Sequence, residues 1–272
     1  MKVVDVHTHM LNEAWLRLLK KHGGRYKVKK VKGGQTGIHR DGAPFMTLTP
    51  GMFDYETRIR AMDEAGVDIA IVTLTSPNVY WGSAKISLFA SKLINDDMAA
   101  QQKRYPQRIR FMCSLPWQHA KLALAELERA CDELGAVGVM VLANIDGASL
   151  TDRIFSSIWR EIDRRGLPVL VHPTAPAGTK ELDVASYNLI ASVGFMFDTS
   201  LAVSRMIFDG FFERYPNLKL IAAHGGGTLP YIAGRLDICF DRMPACRERI
   251  SRNPSSYLRN IYYDSVVFQQ ES

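Results

Sequence analysis

An α/β fold of the TIM-type (β/α)8 barrel class is predicted by three features of this 272-residue sequence. Short β-branched runs alternate with longer amphipathic segments, glycines stand at the junctions, and histidines recur where apolar runs end. The alternation is the signature of successive βα units. The apolar runs are continuous, as strands buried on both faces require. A doubly wound sheet is the alternative assembly of the same units.

Strands are expected at residues 3–6, 67–74, 109–115, 137–142, 168–172, 218–224 and 261–267, with helices at 55–65, 88–105, 120–133, 154–165 and 202–215. Gly66, Gly135 and Gly166 each follow a helix and precede a strand, where a left-handed residue ends the helix. The exception to the alternation is 16–53, rich in Gly, Lys and Thr, with Gly33-Gly34 and Pro44. So long a connection is usually functional, and it reads as a structureless insertion after the first strand, lying over the barrel mouth.

A hydrophobic content of 47% supports a sizeable core, and residues 1–272 are read as a single domain. The net charge of +6 suits a carboxylate-bearing substrate, but the cations are scattered among acids. Lys27, Lys29, Lys30 and Lys32 form the nearest thing to a basic cluster. It reads as a solvated loop, so a nucleic-acid partner is not expected. The four cysteines, Cys113, Cys131, Cys239 and Cys246, have no CxxC spacing, which points to free thiols in a reducing compartment. The N-terminus Met1-Lys2-Val3-Val4-Asp5 lacks a signal-peptide core, and no apolar run is long enough to cross a bilayer. A cytoplasmic location without membrane attachment is the expectation.

The chemistry concentrates on four histidines. In Val4-Asp5-Val6-His7-Thr8-His9, side chains two residues apart on a strand share a face, so both imidazoles can converge on one metal ion. His172 closes Leu167-Pro168-Val169-Leu170-Val171, and His224 closes Leu218 to Ala223 before Gly225-Gly226-Gly227. Single histidines in such places are usually packing or capping residues. Four at strand ends are better explained by one shared site, because barrel active sites are built there. Imidazole accommodates zinc, manganese or iron, so ligand type leaves the metal open.

These motifs resemble the amidohydrolase-related decarboxylase family, in particular its aminocarboxymuconate semialdehyde branch. The likeness extends to Met62-Asp63, Gly66-Val67, Asn95-Asp96, Phe212-Glu213-Arg214-Tyr215-Pro216, Pro230, Gly234-Arg235 and Tyr263-Asp264, and so covers nearly the whole chain. It implies that His7, His9 and His172 bind one divalent metal, zinc or alternatively manganese, and that His224 is the general acid/base. Arg235 corresponds to an arginine that reaches a neighbouring subunit's site and holds a substrate carboxylate, which implies a homodimer. The activity implied is non-oxidative decarboxylation of a small unsaturated or aromatic acid. A hydrolase or hydratase acting on a lactone-like substrate is the alternative, and a catalytically impaired scaffold is the second.

Three departures from the family pattern bear on substrate and completeness. Met46 stands where the closest decarboxylases carry a carboxylate-binding arginine, leaving Arg25 or Arg40 as substitutes, and Thr174 replaces a tryptophan after the His-Pro of the fifth strand. Tyr80 and Trp81, near the end of the second strand, are candidates to line an apolar pocket, with core packing as their alternative role. The family's final aspartate after an eighth strand has no counterpart before Ser272. Asp264 matches a strand-seven aspartate that is not a ligand, and a truncated chain lacking the eighth strand is expected.

Overall fold

The computed structural model describes residues 2–31, 34–176, 178–179, 181–184 and 186–268. Its contacts group the chain into two compact units, Met1–Met140 and Val141–Ser272.

In the first unit, β1 (Val4–His9) leads into α1 (Glu13–His22). The Asn12 side chain accepts the Ala14 N–H at 2.7 Å, and Lys20, Lys21 and His22 complement the other end of the helix dipole. Trp15, Leu16 and Leu19 are the buried stripe of α1. Strands β2 (Tyr26–Lys30), β3 (Thr36–Arg40) and β4 (Ala43–Thr47) then form an antiparallel sheet. Its buried face carries Tyr26, Ile38 and Phe45. The expected structureless insertion at 16–53 is therefore corrected to a helix and a small sheet. Alternation produces the sheet: Tyr26 turns inward while Lys27 and Lys29 are exposed, so those lysines stand on a strand and not in a loop. Lys32 and Gly33 lie outside the described residues.

The βα succession follows, with α2 (Tyr55–Ala65), β5 (Ile69–Thr73), α3 (Ala84–Arg104), β6 (Ile109–Cys113), α4 (Ala120–Asp132) and β7 (Gly138–Leu142). Gly66 ends α2 in the left-handed conformation, as its place in the sequence predicts.

Asn95 and Asp96 serve the fold of this unit. The Asn95 amide brackets Ser114, accepting its N–H at 2.9 Å and donating to its carbonyl at 3.0 Å, and also donates to Glu126 at 2.8 Å. Arg129 completes the network, paired with Glu126 at 2.8 Å and Asp96 at 2.7 Å. Because the Glu126 side chain is fully buried, Arg129→Ala leaves an uncompensated charge. It is expected to cost about 3–5 kcal/mol, read as a lower urea midpoint.

The second unit carries a two-strand turn, β8 (Asn144–Ile145) and β9 (Ala148–Ser149), then α5 (Ser156–Arg165) and β10 (Pro168–His172). A π-helical turn at Ile190–Gly194 leads into α6 (Phe195–Phe208) and α7 (Phe211–Arg214). The single helix expected at 202–215 is broken by Gly210, at φ +70°. There an added Cβ would lie 2.3 Å from the Arg249 carbonyl oxygen. Next come β11 (Lys219–Ala222), α8 (Leu229–Arg242), α9 (Pro254–Leu258) and β12 (Tyr262–Tyr263). The last strand is thus much shorter than 261–267, because the Asp264 side chain diverts the chain after Tyr263 into a turn, accepting the Val266 N–H at 3.0 Å.

The larger sheet has seven strands in the order β1-β5-β6-β7-β10-β11-β12. Its parallel pairing and sequential order are the TIM-like (β/α) arrangement that the alternation predicts. One expectation fails. The helical run Ser186–Phe208, 23 residues with positive φ at Tyr187 and Asn188, contains an 18-residue window of mean hydropathy 1.3 and is long and apolar enough to cross a membrane by length and composition. Half of that window is buried in the protein. Asp198 and Ser200 within it make hydrogen bonds inside the second unit, the behaviour of a core helix.

Candidate metal centre

In the first unit, β1 holds His7 and His9 with their Nε2 atoms 3.2 Å apart and their rings edge to face. Simple alternation is only part of the cause. The register against β5 slips between Asp5 and Thr8, and Asp5 accepts the His7 N–H at 3.0 Å across that bulge. A bulge re-aims the side chain it carries. Ligand nitrogens bound to one tetrahedral zinc lie roughly 3.3 Å apart, given bonds near 2.0–2.1 Å, so this pair fits adjacent positions on one ion.

The tautomer of His9 follows from its neighbours. The buried Thr73 hydroxyl donates its one proton to the Thr8 carbonyl at 3.1 Å, so it accepts from His9 Nδ1–H at 3.0 Å. His9 Nε2 is left with its lone pair for a metal. Thr73 was not legible as a site residue, because a threonine closing a strand is ordinary β-sheet composition.

In the second unit, the buried His172 donates from Nδ1 to the Pro173 carbonyl at 2.7 Å, which again leaves Nε2 as a ligand atom. His7 and His9 of the first unit and His172 of the second each offer a ring nitrogen as a ligand atom.

His224 follows β11 on a turn in which four successive residues, His224 to Gly227, have positive φ. Non-glycine residues rarely adopt this conformation, and it persists only where the surroundings enforce it. Asp264 supplies the enforcement, accepting the N–H groups of His224 at 2.8 Å and Gly225 at 3.0 Å. Its carboxylate therefore organises backbone. Gly227 is held close to α6: a Cβ there would meet the Met196 carbonyl oxygen at 2.5 Å. The His224 ring is stacked on Phe195, with centroids 6.1 Å apart at 25°, and lies 5.5 Å from the His172 ring. Neither Phe195 nor Asp198 was singled out by the sequence, since both stand in an apolar helix without a recognisable motif.

The other candidates are distributed more widely. Met46 is half-buried on β4, paired with Ile38. Tyr80 and Trp81 are both buried in the first unit. The Trp81 indole packs on Trp15, and both indoles donate to the Asn78 carbonyl, at 2.8 and 3.1 Å, which makes Trp81 a core residue. Arg25 is paired with Asp41 at 2.6 Å on an exposed surface. Thr174 is buried, with its N–H donated to Asp198. Arg235 is exposed on α8.

A family profile described as amidohydrolase matches residues 4–259. The chain is 31% identical over 274 residues to 2-amino-3-carboxymuconate-6-semialdehyde decarboxylase of Dictyostelium discoideum, covering 99% of itself and 76% of that protein. It is 30% identical over 191 residues to gamma-resorcylate decarboxylase of Polaromonas sp. strain JS666, covering 67% of itself and 59% of that protein. In three dimensions it resembles the dihydroxybenzoic acid decarboxylase of Polaromonas sp. JS666, solved with bound manganese and the inhibitor 2-nitroresorcinol. That likeness has a TM-score of 0.76 at 22% identity, covering 97% of this chain and 78% of the other.

Proposed function

The chain belongs to the amidohydrolase family, and from that premise we propose that it is a metal-dependent decarboxylase of a small aromatic or unsaturated carboxylic acid. The observation that carries the reading is the pair of imidazoles on β1 with Nε2 atoms 3.2 Å apart, in a chain whose similar proteins are decarboxylases. His7, His9 and His172 would hold one divalent ion, zinc with manganese as the alternative. When bound, that ion supplies a positive charge that orients a substrate oxygen and stabilises developing negative charge.

The protein's own groups account for the rest. His224 is the general acid/base. As imidazolium it delivers a proton to the carbon bearing the carboxylate, the C–C bond breaks, its electron pair returns to the substrate, and carbon dioxide leaves. Its strained backbone and its stack on Phe195 hold the ring in one plane, so little ordering is needed at the moment of transfer. We assign the substrate carboxylate to Arg235 of a second copy, in a homodimer, and read the two units as one domain with 16–53 over the active-site mouth. The free thiols support a cytoplasmic setting.

A panel of hydroxybenzoates and muconate-like acids tests the reaction type. Carbon dioxide release from at least one is expected, whereas opening of a lactone without any carbon dioxide would replace this reading with hydrolysis. Thr73→Val, which removes the acceptor of His9 Nδ1–H, is expected to weaken divalent-metal binding about 10- to 100-fold in chelator competition.

A further inference from the structure

One buried carboxylate of the second unit, Asp198 on α6, stands outside the proposed ligand set and acid/base. It is 4% exposed, and its Oδ2 accepts the Thr174 N–H at 2.8 Å. Its two oxygens also accept from Asn144 Nδ2, at 3.0 and 3.3 Å. The same Asn144 nitrogen donates to the Ala175 carbonyl at 3.3 Å. Asp198 and Asn144 therefore grip the chain just beyond His172.

The grip falls on one particular peptide group. The Thr174 N–H that binds Asp198 and the Pro173 carbonyl that binds His172 Nδ1 belong to the same planar amide. A rigid amide transmits orientation from one side to the other. A carboxylate on its N–H also polarises its carbonyl into a stronger acceptor, since hydrogen bonds in series reinforce one another away from water. We propose that Asp198 is a positioning residue that sets the tautomer, tilt and donor strength of His172 through the Pro173–Thr174 peptide. A metal-ligating histidine is commonly backed by a carboxylate or a carbonyl; here the carboxylate backs the carbonyl. The proposal rests on the metal role assigned to His172.

The experiment compares intact wild-type protein with Asp198→Asn and Asp198→Ala. Imidazole nitrogen NMR is recorded on metal-free protein, and zinc affinity is measured against a fluorescent chelator. His172 is expected to be Nδ1-protonated in the wild type and to lose that bias in Asp198→Ala, with zinc bound roughly 10- to 100-fold more weakly. Asp198→Asn keeps an oxygen for the Thr174 N–H without the charge and is expected to lose less than Asp198→Ala.

Three results would overturn the proposal: an Nε2-protonated His172 in the wild type, a folded Asp198→Ala protein with unchanged zinc affinity and unchanged His172 signals, or equal losses in the two variants. If Asp198→Ala fails to fold, the wild-type tautomer and the zinc affinity of Asp198→Asn still decide. The tautomer measurement needs neither metal nor turnover, so failure of the decarboxylase reading leaves it intact.

Discussion

Replacing His7 or His172 by alanine is expected to abolish stoichiometric divalent-metal binding and to reduce decarboxylation below detection. The loss should exceed the roughly 10- to 100-fold expected for a supporting group such as Thr73, because a ligand is removed outright instead of being left less well oriented. Metal analysis after dialysis, with thermal unfolding as the check on folding, measures it. The two histidines belong to different compact units. Equal loss from either variant is therefore the result that a single shared ion predicts.

The second large effect belongs to His224. Replacement by asparagine removes the proton carrier while leaving the backbone bonds to Asp264, which involve main-chain N–H groups. Turnover is expected to fall by about 10²- to 10⁴-fold. Metal content should remain at the wild-type level. Asparagine also tolerates the left-handed backbone that His224 adopts, which makes it a better probe than a β-branched residue. A pre-steady-state measurement that found chemistry unchanged and only product release slowed would remove His224 from the proton-transfer role.

Much of the scaffold was legible because its signals are local and periodic. The helix at 55–65 and the strand at 168–172 were placed to the residue, since each is bounded by a glycine or an apolar-to-polar switch that reflects real backbone geometry. The small sheet of β2, β3 and β4 was hidden, because lysines and glycines mask an alternation visible only once Tyr26, Ile38 and Phe45 are seen on one face. The break at Gly210 was hidden for another reason: a helix interrupted by a single left-handed residue keeps its apolar period on both sides.

The candidate site divides in the same way. His7, His9, His172 and His224 were legible because imidazoles at strand ends are chemically conspicuous. Thr73, Asp198 and Asp264 act through the backbone or through another side chain, and such roles leave no pattern in composition. Asp264 was noticed only as the match to a strand-seven aspartate that is not a ligand, and in the structure its oxygens accept backbone N–H groups around His224. Trp81 shows the converse, a conspicuous residue whose indole is committed to the core through Asn78.

If one divalent ion held by His7, His9 and His172 supports decarboxylation, release of labelled carbon dioxide from a carboxyl-labelled aromatic acid depends on that ion. Release would be followed while metal is removed with a chelator and then restored. Release is expected to be lost with the metal, to recover in proportion to ion bound up to one per chain, and not to recover in the His172→Ala protein. Release that persisted in demonstrably metal-free protein, or that recovered fully in His172→Ala, would contradict that dependence on the ion.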